Sequence, residues 1–175
     1  MLNIDNTVLM VIDVQEKLVK MLKNPDEITK NNSILVKSAN ILGVKTIVTE
    51  QYPRGLGKTI EELKTDTTFE KTSFSAMENQ IIADKIAEFS PENVILTGIE
   101  THICVYQTAL DLLQKGYKVY IVKNATASRN KKDYKTALEL IRDFGGKLTC
   151  VETVLFELLK SSTHPKFKEI QSFIK

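Results

Sequence analysis

At 175 residues the chain suits a single domain, residues 1–175, large enough to bury a core without disulfides or a structural metal. Hydrophobic residues make up 42% and charged residues 26%, and at a net charge of +2 the interspersed lysines and acids make no case for nucleic acid as a partner. No apolar run reaches membrane-spanning length, and two cysteines, Cys104 and Cys150, suit a reducing cytoplasm better than a disulfide framework.

The opening MLNIDNTVLMVIDVQ has neither a basic leader nor small cleavage-like residues, so Val8 to Ile12 reads as a first strand and not as a signal peptide. Asp13 follows it directly. An acid at the end of so apolar a strand should be paired or used, although capping the next helix accounts for it equally well. Leu35, Ala39 and Leu42 then form a helical stripe, and Thr46 to Thr49 a second strand that ends on Glu50 and Gln51. A short strand, Thr67 to Lys71, carries a lysine among Thr and Phe residues. Taken alone, that lysine is more readily a side chain snorkelling from a strand edge.

Ile82, Ile86 and Phe89 mark another helix before the β-branched run Val94 to Thr97, which is closed by Gly98. Helical spacing resumes at Tyr106, Leu110 and Leu113, with Thr101 available as N-cap and Gly116 as the stop. This places Cys104 in a first helical turn, where unpaired N–H groups and the helix dipole favour a thiolate. A lone cysteine beside a helix is, however, more often a small buried hydrophobe. Val119 to Val122 reads as a fifth strand, followed by Asn124 and Ser128. The stripe Tyr134, Ala137, Leu138, Ile141 and Phe144 stops at Gly145 and Gly146. Leu148 to Val151 completes the strands and makes Cys150 a core residue. His164 before Pro165 looks like a last helix start.

Strands alternating with helices imply right-handed βαβ units, a parallel sheet and helices on both faces. In such open sheets function gathers at the carboxyl ends of the strands, where Asp13, Glu50, Gln51, Lys71 and Cys104 all fall. A thiol, a carboxylate and an ammonium group meeting there would supply a nucleophile, a proton acceptor and an electrostatic stabiliser.

Asp13 in MVIDVQ, Lys71 in EKTSFSA and Cys104 in GIETHICV together resemble the isochorismatase-like cysteine hydrolase family, which includes nicotinamidases and N-carbamoylsarcosine amidohydrolases. TEQYPRGLG, KNATASR and HPKFKEIQ resemble the isochorismatase-domain-containing subgroup. The resemblance covers nearly the whole chain. It implies a three-layer αβα, Rossmann-like fold with a six-stranded parallel sheet, and a catalytic triad on Asp13, Lys71 and Cys104. It further implies a cis peptide between Ile99 and Glu100, with the N–H groups of Glu100 and Cys104 forming an oxyanion hole. The expected activity is covalent hydrolysis of a small amide or related C–N bond, by a cytoplasmic homo-oligomer, a dimer or higher.

Gln15, Glu50, Gln51, Tyr52 and Phe74 are the expected substrate contacts, with Arg54 and Leu56 as further pocket-wall candidates. The nicotinamidase branch carries an acid and two histidines as a metal site near the end of the second strand. This chain has only His102 and His164, and EQYPRGLG lies in that stretch, so no metal and no other cofactor is expected. Nicotinamide is correspondingly disfavoured as substrate. Vinyl ether hydrolysis of the isochorismatase kind needs no thiol, so Cys104 speaks against it. A non-catalytic scaffold and a receiver-like signalling domain are the remaining alternatives. The latter lacks the extra acid that a magnesium site would want after Asp13.

Overall fold

The first strand, β1 (Thr7–Ile12), is buried at all six positions, as a run of apolar residues must be when both its neighbours and both faces of the sheet are covered. The computed structural model describes residues 1–175. Five further parallel strands are β2 (Lys45–Gln51), β3 (Thr68–Lys71), β4 (Asn93–Ile99), β5 (Lys118–Ala127) and β6 (Lys147–Thr149), in the sheet order β3-β2-β1-β4-β5-β6. The helices are α1 (Glu16–Val19), α2 (Pro25–Leu42), α3 (Pro53–Leu56), α4 (Gln80–Phe89), α5 (Tyr106–Gln114), α6 (Lys131–Asp143), α7 (Val151–Leu159) and α8 (Phe167–Gln171). Chain direction reverses its march across the sheet between β1 and β4. Ligand crevices in open α/β sheets form at that switch point, outside the carboxyl ends of the strands.

The period of two along β1 divides the core. Leu9 and Val11 pack with α2, α7 and Ile170 of α8 on one face, whereas Val8, Met10 and Ile12 pack with Ile82 and Ile86 of α4, Leu112 of α5 and Ile141 of α6 on the other. The result is the three-layer αβα architecture expected from the alternating elements.

Four local readings are corrected. The segment Thr101–Val105 is a π-helical turn, and α5 begins only after it, so Thr101 is not the N-cap of the helix; its buried hydroxyl has no partner. The buried stripe is Val105, Ala109 and Leu112, one position before the expected Tyr106, Leu110 and Leu113, which are only partly buried. An irregular entry turn sets the phase of the helix that follows it, and periodicity alone cannot show that turn. Strand β5 runs five residues past Val122 because its pairing with β4 shifts register between Leu96 and Gly98, a bulge that no propensity signals. Finally, β6 stops at Thr149 at the sheet edge, leaving Cys150 half-buried before α7 and not in the core.

Candidate active site

Asp13 sits in the left-handed backbone region, φ 51°, immediately after β1. Its N–H donates to the Thr49 carbonyl at 3.1 Å, and Gln15 N–H donates to the Asp13 carbonyl at 2.8 Å. That turn aims the carboxylate across the strand ends toward Lys71, the last residue of β3. Lys71 Nζ stands 2.8 Å from Asp13 Oδ2, and both side chains have 0% exposure. The ammonium's other two N–H bonds go to Gln51 Oε1 at 2.7 Å and, shared, to the carbonyls of Ser73 and Phe74, each at 3.2 Å. A buried cation so surrounded is fully solvated by protein, which is the condition for keeping a charge inside. Lys71 is therefore not a snorkelling edge residue.

Cys104 lies beside this pair at 6% exposure. Burial and the negative charge of Asp13 push its thiol from 9.0 up to about 12, and the opposing pull of Lys71 does not offset them. Burial and Asp13 thus favour the thiol, against the thiolate that a helix terminus alone would favour. Its elevated value favours folding fully below pH 9.0, and that contribution disappears as pH rises toward about 12. Iodoacetamide at neutral pH should accordingly alkylate the more accessible Cys150 well before Cys104. Preferential labelling of Cys104, read by peptide mass spectrometry, would contradict the protonated resting state.

The peptide between Ile99 and Glu100 is cis. Glu100 is 7% exposed, and its Oε2 accepts the Arg129 N–H at 2.9 Å, so its side chain ties the end of β4 to the segment after β5. His102 is tied to the same segment, with Nδ1 2.9 Å from Ser128 Oγ.

The expected substrate contacts separate into two groups. Gln15 is fully buried; its amide donates to the carbonyls of Gln51 and Gly57 and accepts from the Gln51 N–H, so it fastens a loop. Glu50 accepts the Thr59 N–H at 2.6 Å and pairs with Lys58. Burial pushes the Glu50 carboxyl up, but the Thr59 hydrogen bonds and Lys58 outweigh it and hold the group below its ordinary range. Both side chains are engaged within the fold, Gln15 with the 51–57 loop and Glu50 with Thr59 and Lys58. Gln51 is committed to Lys71 and to the Thr72 carbonyl. Tyr52 and Phe74 are exposed aromatics near Lys71: the Tyr52 N–H donates to the Lys71 carbonyl at 3.0 Å, the Phe74 carbonyl accepts from Lys71 Nζ, and Tyr52, Arg54 and Lys71 line a cavity of about 360 Å³. In the EQYPRGLG stretch no three His, Cys, Asp or Glu side chains converge as metal ligands would.

A larger cavity, about 600 Å³, lies over the ends of β5 and β6, with Lys23, Lys123, Arg129, Lys131 and Cys150 on its walls. None of Asp13, Lys71 and Cys104 lines it. Sequence reasoning also passed over Thr49, which reads only as a β-branched strand former, yet its fully buried hydroxyl donates to Asp13 Oδ1 at 2.6 Å.

Fold and site define a class: a doubly wound α/β protein with a buried thiol, carboxylate and ammonium at the switch point of its sheet. Residues 7–153 match the isochorismatase domain family. The chain is 40% identical over 166 residues to isochorismatase domain-containing protein 1 of Danio rerio, covering 93% of this chain and 59% of that protein. It is also 40% identical over 171 residues to isochorismatase domain-containing protein 2 of Xenopus laevis, covering 97% and 83%. Among solved structures, one described as MAR1 ribonuclease from Caenorhabditis elegans superposes with a TM-score of 0.93 at 40% identity, covering 99% of this chain and 91% of that one. YcaC of Pseudomonas aeruginosa, at 22% identity and TM-score 0.94, covers 98% and 90% and shares the fold. The chain belongs to the isochorismatase-like hydrolase family. It spans only about three fifths of the domain-containing protein 1 relatives, 59% in D. rerio and 61% in Salmo salar.

Proposed function

We propose that this chain is a metal-independent cysteine hydrolase acting on a small amide or related C–N bond, with no cofactor. The observation that carries the reading is the fully buried Asp13–Lys71 pair at the strand ends, with the buried Cys104 beside it. Asp13 takes the proton of Cys104 as sulfur attacks the carbonyl carbon, and the tetrahedral oxyanion accepts from the N–H groups of Glu100 and Cys104. Asp13 then returns that proton to the departing amine, leaving a thioester on Cys104. Water, giving a proton to the same carboxylate, cleaves the thioester; the acid product leaves and the thiol regains its proton. Lys71 holds Asp13 and offsets the negative charge of each step.

The exposed rings of Tyr52 and Phe74 form the rim that a substrate passes, and the depth of the triad favours small substrates over polymers. Nothing specific favours vinyl ether hydrolysis, which needs no nucleophilic thiol. The name ribonuclease attached to the C. elegans neighbour finds cations here around the 600 Å³ cavity, but that cavity does not reach the triad. The E. coli YcaC structure is described as an octameric hydrolase, and a homo-oligomer is the assembly we propose for this chain. Two free thiols fit a reducing, cytoplasmic compartment; no helix is long and apolar enough to cross a membrane.

Small amides, carbamoyl compounds and ureido acids, screened by ammonia release, should identify a substrate. On it Cys104→Ala should lose at least about a thousandfold in kcat/KM with an unchanged far-ultraviolet circular dichroism spectrum. Full activity in that variant overturns the covalent scheme, and RNA cleavage that survives it would point to the cationic cavity instead.

A further inference from the structure

A threonine at 0% exposure in the middle of a parallel sheet could be a valine at no cost in shape or strand preference. Its hydroxyl, removed from water, is a liability unless it makes a hydrogen bond. At Thr49 it makes two. The Asp13 N–H, bonded chiefly to the Thr49 carbonyl at 3.1 Å, is shared with Thr49 Oγ1 at 3.3 Å, and the hydroxyl proton goes to Asp13 Oδ1, a pure acceptor, at 2.6 Å. The other carboxylate oxygen, Oδ2, is held by Lys71 Nζ at 2.8 Å. Asp13 is therefore gripped from two neighbouring strands, β2 through Thr49 and β3 through Lys71, while Cys104 approaches from beyond β4.

We propose that Thr49 is a positioning residue for the general base: its hydroxyl fixes the plane of the Asp13 carboxylate, so that a free lone pair faces the Cys104 thiol. The proposal rests on the cysteine hydrolase reading, which assigns Asp13 the proton transfer. A carboxylate held by Lys71 alone could rotate about its Cβ–Cγ bond and turn either oxygen to the ammonium. The second donor removes that freedom. The other ionisable groups at these strand ends are engaged elsewhere: Glu50 with Thr59 and Lys58, Glu100 with Arg129. Only Lys71, Cys104 and Thr49 act on Asp13 itself.

The experiment compares Thr49→Val, Thr49→Ser and Thr49→Ala by two readouts. The first is kcat and KM, measured separately, on the substrate found by ammonia release. The second needs no substrate: the carboxyl carbon resonance of Asp13 in aspartate-labelled protein at neutral pH, which reports the hydrogen bonds its oxygens accept. Thr49→Val should displace that resonance and lower kcat at least about tenfold with KM little changed. Thr49→Ser, which keeps the hydroxyl, should restore both. If valine distorts the sheet, the Ser and Ala pair carries the same contrast. An unmoved Asp13 resonance in Thr49→Val or Thr49→Ala overturns the proposal, as does a loss of activity that serine fails to restore. Activity retained in Cys104→Ala would instead remove the hydrolase reading and leave the Asp13 resonance to judge Thr49 separately.

Discussion

Lys71→Met should destabilise the protein by about 3–5 kcal/mol in chemical denaturation, the range for removing one partner of a buried ion pair. The side chain is of similar length and apolar, so little packing is lost. What is lost is the partner of a carboxylate with 0% exposure, together with donors to Gln51 Oε1 and to the Ser73 and Phe74 carbonyls. The cost is thus chiefly that of leaving Asp13 charged and unpaired away from water. Pairing the change with Asp13→Asn removes that charge, and the double variant should recover a substantial part of the loss. Turnover should be absent in both. A cost of Lys71→Met below about 1 kcal/mol would mean that water reaches the pair and that the site is not dry.

The positions of Asp13, Lys71 and Cys104 were legible because each interrupts a local pattern. An acid ends an apolar strand, a lysine ends a strand of Thr and Phe, and a thiol stands where strand periodicity yields to helix. The sheet was legible for the same reason, since β-branched runs alternate with helical stripes. What escaped was whatever depends on the backbone departing from its regular period. The π-helical turn at Thr101–Val105 shifted the buried face of α5, and the register shift in β5 lengthened that strand past Val122. Charge state escaped too. A helix terminus argues for a thiolate only when water or a cation is at hand, and at Cys104 burial and Asp13 prevail. At Gln15 and Glu50 a strand end also serves the fold itself, through hydrogen bonds that strand position alone does not foretell.

Gly98 bears the heaviest steric constraint in the molecule. It pairs with Ile12 across β4 and β1 at φ 111°, and a Cβ there would lie 2.0 Å from the Ile12 carbonyl oxygen and 2.6 Å from its nitrogen. Those atoms are backbone in the central strand and cannot turn aside as a side chain would. Relief requires parting β1 from β4 at the point where Asp13 leaves one and the segment to Cys104 leaves the other. Gly98→Ala should therefore cost about 4 kcal/mol or more, or prevent folding, with the thermal transition as readout. Gly116→Ala supplies the control: its φ of 88° is equally unfavourable to a side chain, but nothing lies within 4 Å of the added methyl. That change should cost only the backbone strain, about 1–2 kcal/mol. If the two variants melt together, the close approach of β4 to β1 is not what demands glycine. If Gly98→Ala folds but exposes Cys104 to iodoacetamide at neutral pH, the approach is what keeps the thiol dry, because parting the strands admits water beside the carboxylate that now holds its proton in place.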